Sequence, residues 1–210
     1  MNSRNISKNN QTKEFDDIKS KFVFKKIISL MKRNKSLEIM KYNKKLQKRL
    51  NININDYKEY SELYSSIEIE LISNNKEGEF INIPDNDKEY YHIYFDNSNE
   101  EIKRNYLEKN EKVKLIKIII DYQVKTFKGL FFYCNSINSI YFKKFYRNNI
   151  TDMNNMFSYC SSLKELNLSN FNNNNVTHMN GMFDGCSDEL KNIIKTQNGR
   201  KFKKYFKNDE

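Results

Sequence analysis

Hydrophobic positions fall into three patterns along the chain. Near the start, Phe22, Ile27, Leu30 and Met31, then Leu37, Met40, Leu46 and Leu50, recur at helical spacing with lysines between them. This predicts two helices over 18–31 and 35–50, broken at Arg33–Asn34. They make a helical hairpin over 18–55 behind a disordered polar tail, 1–17. In the middle, VKLIKIII at Val113–Ile120 predicts a strand, with shorter ones in EIEL at Glu68–Leu71, FINI at Phe80–Ile83 and YYHIYF at Tyr90–Phe95. A helix is expected around Glu100–Leu107, and loops at 73–79 and 84–89 from their Asn, Gly, Pro and Asp content. Residues 56–112 thus read as a mixed β/α region, a small β cap.

The third pattern is a repeat. Shifting residues 149–171 by about 26 positions superposes Val176 on Ile150, Thr177 on Thr151, Met179 on Met153, Met182 on Met156, Phe183 on Phe157 and Cys186 on Cys160. The opposite shift lands on a degenerate copy in which Val124, Phe127, Leu130, Phe131 and Cys134 take the same places. Within a unit, Leu163, Leu166, Leu168 and Phe171 suit a short strand with closed corners, and Met153, Met156, Phe157 and Cys160 have the 3, 4 and 7 spacing of a short helix. A lone unit cannot bury both of its faces, so such units stack, with about three the minimum. The expected fold is therefore α+β: a short solenoid of about 2.5 coils over 113–188, capped by the β region, preceded by the hairpin and closed by a helical cap and tail over 189–210. Ser187, followed by Asp188 and Glu189, is a suitable N-cap for that last helix.

The segment from Ile150 to Phe171 resembles the repeat of the BspA-type leucine-rich-repeat surface proteins, V-T-D-M-x-x-M-F-x-x-C-S-S-L-x-x-L-x-L-S-x-F. The resemblance is strong over 150–188 and weaker over 113–149. It implies a leucine-rich-repeat-like solenoid used for adhesion or protein binding without catalysis, with the cell surface as one location. A second resemblance lies in the N-terminal helices. Ile27-Ile28-Ser29-Leu30 and Leu37, Met40, Asn43 and Leu46 are similar to a divergent F-box lacking its Leu-Pro start, which implies a ubiquitin-ligase substrate adaptor.

Composition changes the weight of the charge. The chain of 210 residues carries a formal +10, from 37 basic and 27 acidic side chains, but lysine outnumbers arginine about five to one and alanine is absent. That is the signature of A/T-rich codons. Residues 1–60 hold about +10, 61–112 about −7 and 113–210 about +7, so an acidic block interrupts the basic ones. A pI of 9.3 and lysines interleaved with aromatics raise nucleic-acid binding through the N-terminal region as an alternative. The acidic middle and the shortage of arginine count against it. With a mean hydropathy of −0.88 and no apolar run near 18 residues, no membrane span is expected. The polar start offers no signal-peptide core, which points to a cytoplasmic chain. On that reading the N-x-[ST] matches at Asn5, Asn10, Asn149 and Asn175 are idle.

Candidate chemistry is sparse. Cys134, Cys160 and Cys186 occupy one position of the repeat, which lines them up as an internal ladder and not as a converging zinc site or disulfide framework. His92 and His178 show no partner in the sequence. Asp85, Asp87, Glu89 and Asp96 fit positions 1, 3, 5 and 12 of a calcium loop, but Tyr90 stands where the turn needs glycine. No phosphate loop, nucleophile elbow or zinc-protease motif occurs. No cofactor, metal or catalytic residue is expected. The structural core of the repeats should be Cys134, Cys160, Cys186, Met153, Met156, Phe157, Met179, Met182, Phe183, Leu163, Leu166, Leu168 and Phe171. The outward residues of the two strands, Ser139, Tyr141 and Lys143, then Glu165, Asn167 and Ser169, are the candidate contacts for a protein partner of a monomeric chain.

Overall fold

The computed structural model describes residues 26, 44–50, 55, 58, 62–199 and 202. The chain divides into two compact units, Met1–Tyr64 and Ser65–Glu210. In the first, helix α1 spans Lys44–Leu50. The rest of the expected hairpin, most of the F-box-like residues and the tail lie outside the described residues.

The second unit is built on alternation. In β1 (Ile67–Ser73), β3 (Tyr91–Phe95) and β5 (Leu115–Ile120) every second residue is buried. β3 pairs antiparallel with β5 and β5 with β1, and β1 then pairs antiparallel with β6 (Ile137–Lys144). Only the last pair, β6 with β7 (Glu165–Asn167), is parallel. The register aligns core rows across the sheet, the longest being Phe95, Ile116, Leu71, Ile140 and Leu166. On the other face opposite charges meet, Lys143 with Glu70 at 3.3 Å and Lys144 with Glu68 at 3.5 Å. β2 (Gly78–Glu79) and β4 (Tyr106–Leu107) form a separate two-stranded sheet, and a 3-10 turn covers Asp85–Tyr90. Helix α2 spans Asp188–Asn198; its N-cap Ser187 accepts a hydrogen bond from the Leu190 amide at 3.2 Å.

This architecture corrects the expected one. The unit is a β-sheet domain, a five-stranded mixed sheet with a small second sheet, and not a leucine-rich-repeat solenoid. Three of the four pairings in the five-stranded sheet are antiparallel, and β1 and β3 of the expected cap share that sheet with β5, β6 and β7 of the expected repeat region. The third copy contributes no strand, because α2 occupies its place. Phe80–Ile83 is loop with Phe80 and Ile81 buried. The stretch expected to be helical at 100–107 instead carries a bridge from Ile102 to Ile93 and then β4.

The short helix expected at Met153–Cys160 is a chain of tight turns for a definable reason. Two residues per copy sit at positive φ: Gly129, Asn155 and Gly181 at 63°, 54° and 65°, and Tyr133, Tyr159 and Gly185 at 58°, 57° and 68°. Each interrupts right-handed helix. Alternate amides then donate to the neighbouring copy, as Phe131 to Met156 O at 2.8 Å and Phe157 to Met182 O at 2.9 Å. Parallel bridges tie Thr126 to Asp152 and Asp152 to His178. Stacked beneath are Phe131, Phe157 and Phe183, with 5.6 Å between successive ring centroids and planes within 3°.

Candidate functional site

The outward residues of β6 and β7 are brought together by the parallel register, Ser139 beside Glu165 and Tyr141 beside Asn167. Tyr141 donates its hydroxyl to Glu165 Oε2, and this bond, with burial, raises the phenol above its ordinary range. Asn167 Oδ1 accepts from the Ser169 amide at 3.0 Å and from its hydroxyl at 2.7 Å, which fixes the turn after β7. Lys143 is held by Glu70. Ser139, expected to be open to a partner, is buried at 7%, opposite Ile72 where the register of β1 with β6 shifts.

A groove of about 460 Å³ runs along β7, between the strand and α2. Tyr141, Lys164, Glu165, Asn167 and Ser169 line the sheet side, with Ile193, Gln197 and Asn198 across from them. Ile193 is 41% exposed. The Lys164 amide bonds Asn138 O at 2.8 Å, so in a parallel ladder Leu166 also turns its backbone to β6. The main-chain groups of Glu165 and Asn167 therefore face the groove.

The expected core residues are buried with one exception: Met179 is only partly covered, packed against the cluster. The cysteines are free and internal. Cys160 Sγ donates to Phe131 O at 2.8 Å and Cys186 Sγ to Phe157 O at 3.1 Å. Burial raises all three thiols, Cys186 to about 11, which favours their protonated form. His92 has a partner invisible in the sequence, Glu101 Oε1 at 2.9 Å from Nδ1. Exposed His178 meets Thr177 Oγ1 at 2.8 Å. Asp85, Asp87 and Glu89 lie in the 3-10 turn, while Asp96 accepts from the amides of Lys114 and Leu115, both at 2.9 Å. Among the described residues no three metal-ligating side chains converge. Nor is any helix among them long and apolar enough to cross a membrane.

Sequence reasoning missed an exposed aromatic cluster. Phe132, Tyr133 and Tyr159 are 38%, 55% and 45% exposed. Tyr133 and Tyr159 stack with centroids 4.7 Å apart and planes within 5°, and Phe132 stands edge-on to both, at 4.6 and 5.9 Å. The signal was present: Tyr-Cys occurs at 133–134 and 159–160, and the third copy has Gly185 before Cys186.

These features define a sheet domain whose second half is a stack of turns in 26-residue register, with a groove along its parallel edge. The matching family model covers residues 104–210, just over half of the chain, and the chain belongs to that family, described as Mycoplasma protein of unknown function, DUF285. No curated protein and no solved structure matches the chain.

Proposed function

We propose that the chain is a non-catalytic binding module that holds an extended segment of a protein partner along β7. One observation carries this reading: the groove of about 460 Å³ exposes the main-chain groups of an edge strand beside an ordered polar row. Its size suits a few residues of extended chain, within the 300–1,000 Å³ usual for ligand sites. Main-chain pairing would supply affinity, and Tyr141, Asn167 and Gln197 the selectivity. The BspA-type resemblance supports an adhesive or scaffolding role. The F-box-like alternative rests mostly on residues outside those described, and nothing in the groove favours nucleic acid.

The test is capture of a partner by the full chain, compared with Tyr141→Ala/Asn167→Ala. Loss of capture with an unchanged thermal transition is the expected result; undiminished capture removes the groove from consideration.

A further inference from the structure

Along the open edge of β7 the side chains run cation, anion, apolar, amide: Lys164, Glu165, Leu166 and Asn167. The first two are exposed and line the groove. Glu165 Oε2 accepts from the Tyr141 hydroxyl, while Oε1 and the Lys164 ammonium have no partner among the described residues. On the neighbouring strand β6, by contrast, Lys143 and Lys144 are already matched with Glu70 and Glu68. The edge of β7 therefore keeps one positive and one negative charge unmet, in a fixed order.

Resting on the reading of the groove as a strand-binding site, we propose that the segment held there mirrors this order, with an acidic residue, a basic residue, an apolar residue and an amide in consecutive positions. Register gives the alignment. Glu165 and Asn167 turn their main-chain groups to the groove, so an added strand bonds on either side of Leu166. Its central residue then lies beside Leu166, and exposed Ile193 across the groove gives that residue an apolar neighbour. The two residues flanking the centre take the opposite face, one beside Glu165 and one beside Asn167. A basic side chain satisfies the first, and an amide, which both donates and accepts, the second. The next residue beyond the basic one meets Lys164 and is acidic. The same four contacts form whether the strand runs parallel or antiparallel to β7; only the order along the incoming chain reverses.

A second copy of this chain fits the edge less well. Two β7 strands pairing antiparallel about Leu166 would set Glu165 against Asn167 and Lys164 against Leu168, so both charges of each copy would stay unmet. A segment of different sequence is the better occupant.

The test titrates the full chain calorimetrically with four capped octapeptides. Each has two threonines on either side of a centre, which is Glu-Lys-Ile-Asn, its reverse, or either of these with Glu and Lys exchanged. One charge-matched peptide should bind, and its exchanged counterpart should bind about tenfold more weakly at low salt, with the gap closing as salt rises. The variant Lys164→Glu/Glu165→Lys alters two exposed positions, so its melting temperature should hold while its preference reverses. Equal affinity for matched and exchanged peptides, or a preference that survives the swap, would overturn the charge order and leave the groove as a main-chain site. Binding of none of the four would remove the groove reading as well. Protection of the 165–167 amides that rises with protein concentration would also overturn the proposal, by giving the edge to a second copy.

Discussion

In β1, β3 and β5 every second residue faces the core, whereas in the turns at 126–134, 152–160 and 178–186 each core residue lies on its counterpart 26 positions away. The strands tolerate different side chains along a row, since Phe95, Ile116, Leu71, Ile140 and Leu166 simply fill one layer. In the turns two positions keep one side chain in every copy, phenylalanine on phenylalanine and cysteine above cysteine, and two further places take glycine or a residue at positive φ. A row can repack around a changed neighbour. A column of parallel rings has no such freedom.

The largest test of this difference pairs Phe157→Ala with Ile118→Ala. Both side chains are fully buried. Phe157 touches Phe131 and Phe183 in the column and reaches Phe142 of β6 edge-on at 6.5 Å, so its loss should cost about 3–5 kcal/mol. Ile118, between Ile69 and Ile93, should cost about 2–4 kcal/mol. Urea unfolding followed by circular dichroism and by tyrosine fluorescence should give coincident transitions in both variants, because a single buried cluster runs from Ile67 to Phe202. Separated transitions would mean that the sheet and the column are independent.

The same contrast governs what could be read from the chain beforehand. The runs EIEL and VKLIKIII placed β1 and β5 within two residues, and the 26-residue spacing identified nearly every buried residue of the turns. Assembly was less visible. Nothing local in INSIYFKK says that β6 pairs antiparallel with β1, 76 residues away at Lys144 and Glu68, and this pairing makes the domain a mixed sheet. The helix expected at Met153–Cys160 failed because 3, 4 and 7 spacing also describes consecutive turns, and only the positive φ of Asn155 and Tyr159 separates the two. Of the candidate site, the neighbours Tyr141 and Asn167 were legible from the period. The groove was not, since it depends on how α2 stands beside β7.

A smaller effect probes the antiparallel side through pH. Arg104 grips Glu111 with two bonds, Nη1 to Oε2 at 2.9 Å and Nη2 to Oε1 at 2.5 Å, in a pair only 23% exposed on each side. The guanidinium holds the Glu111 carboxyl below its ordinary 4.5. A depressed carboxyl stabilises the fold above its unfolded value and loses that contribution as pH falls through the folded one. Glu111→Gln should therefore cost about 1.5 kcal/mol at neutral pH and nothing once the wild-type carboxyl is protonated. Stability curves for the two proteins should converge in acid. A constant gap across pH would show that the pair contributes by packing alone.

The smallest expected effect lies where the column ends. Ser187 caps α2 through the Leu190 amide, with Asp188 and Glu189 in the first turn, where negative charge suits the helix dipole. Ser187→Ala should cost about 1 kcal/mol. Leu190 and Ile194 remain buried, so the helix should stay docked and fray from its start. Hydrogen exchange is the appropriate measurement. Amides at 190–192 should lose protection while those of β1 and β5, deep in the sheet, keep theirs. If β7 loses protection along with α2, the helix is what closes the parallel edge, and Ile193, Gln197 and Asn198 guard the groove as well as line it. If only the helix responds, β7 is held by β6 alone, and the groove is open to an incoming strand without any movement of α2.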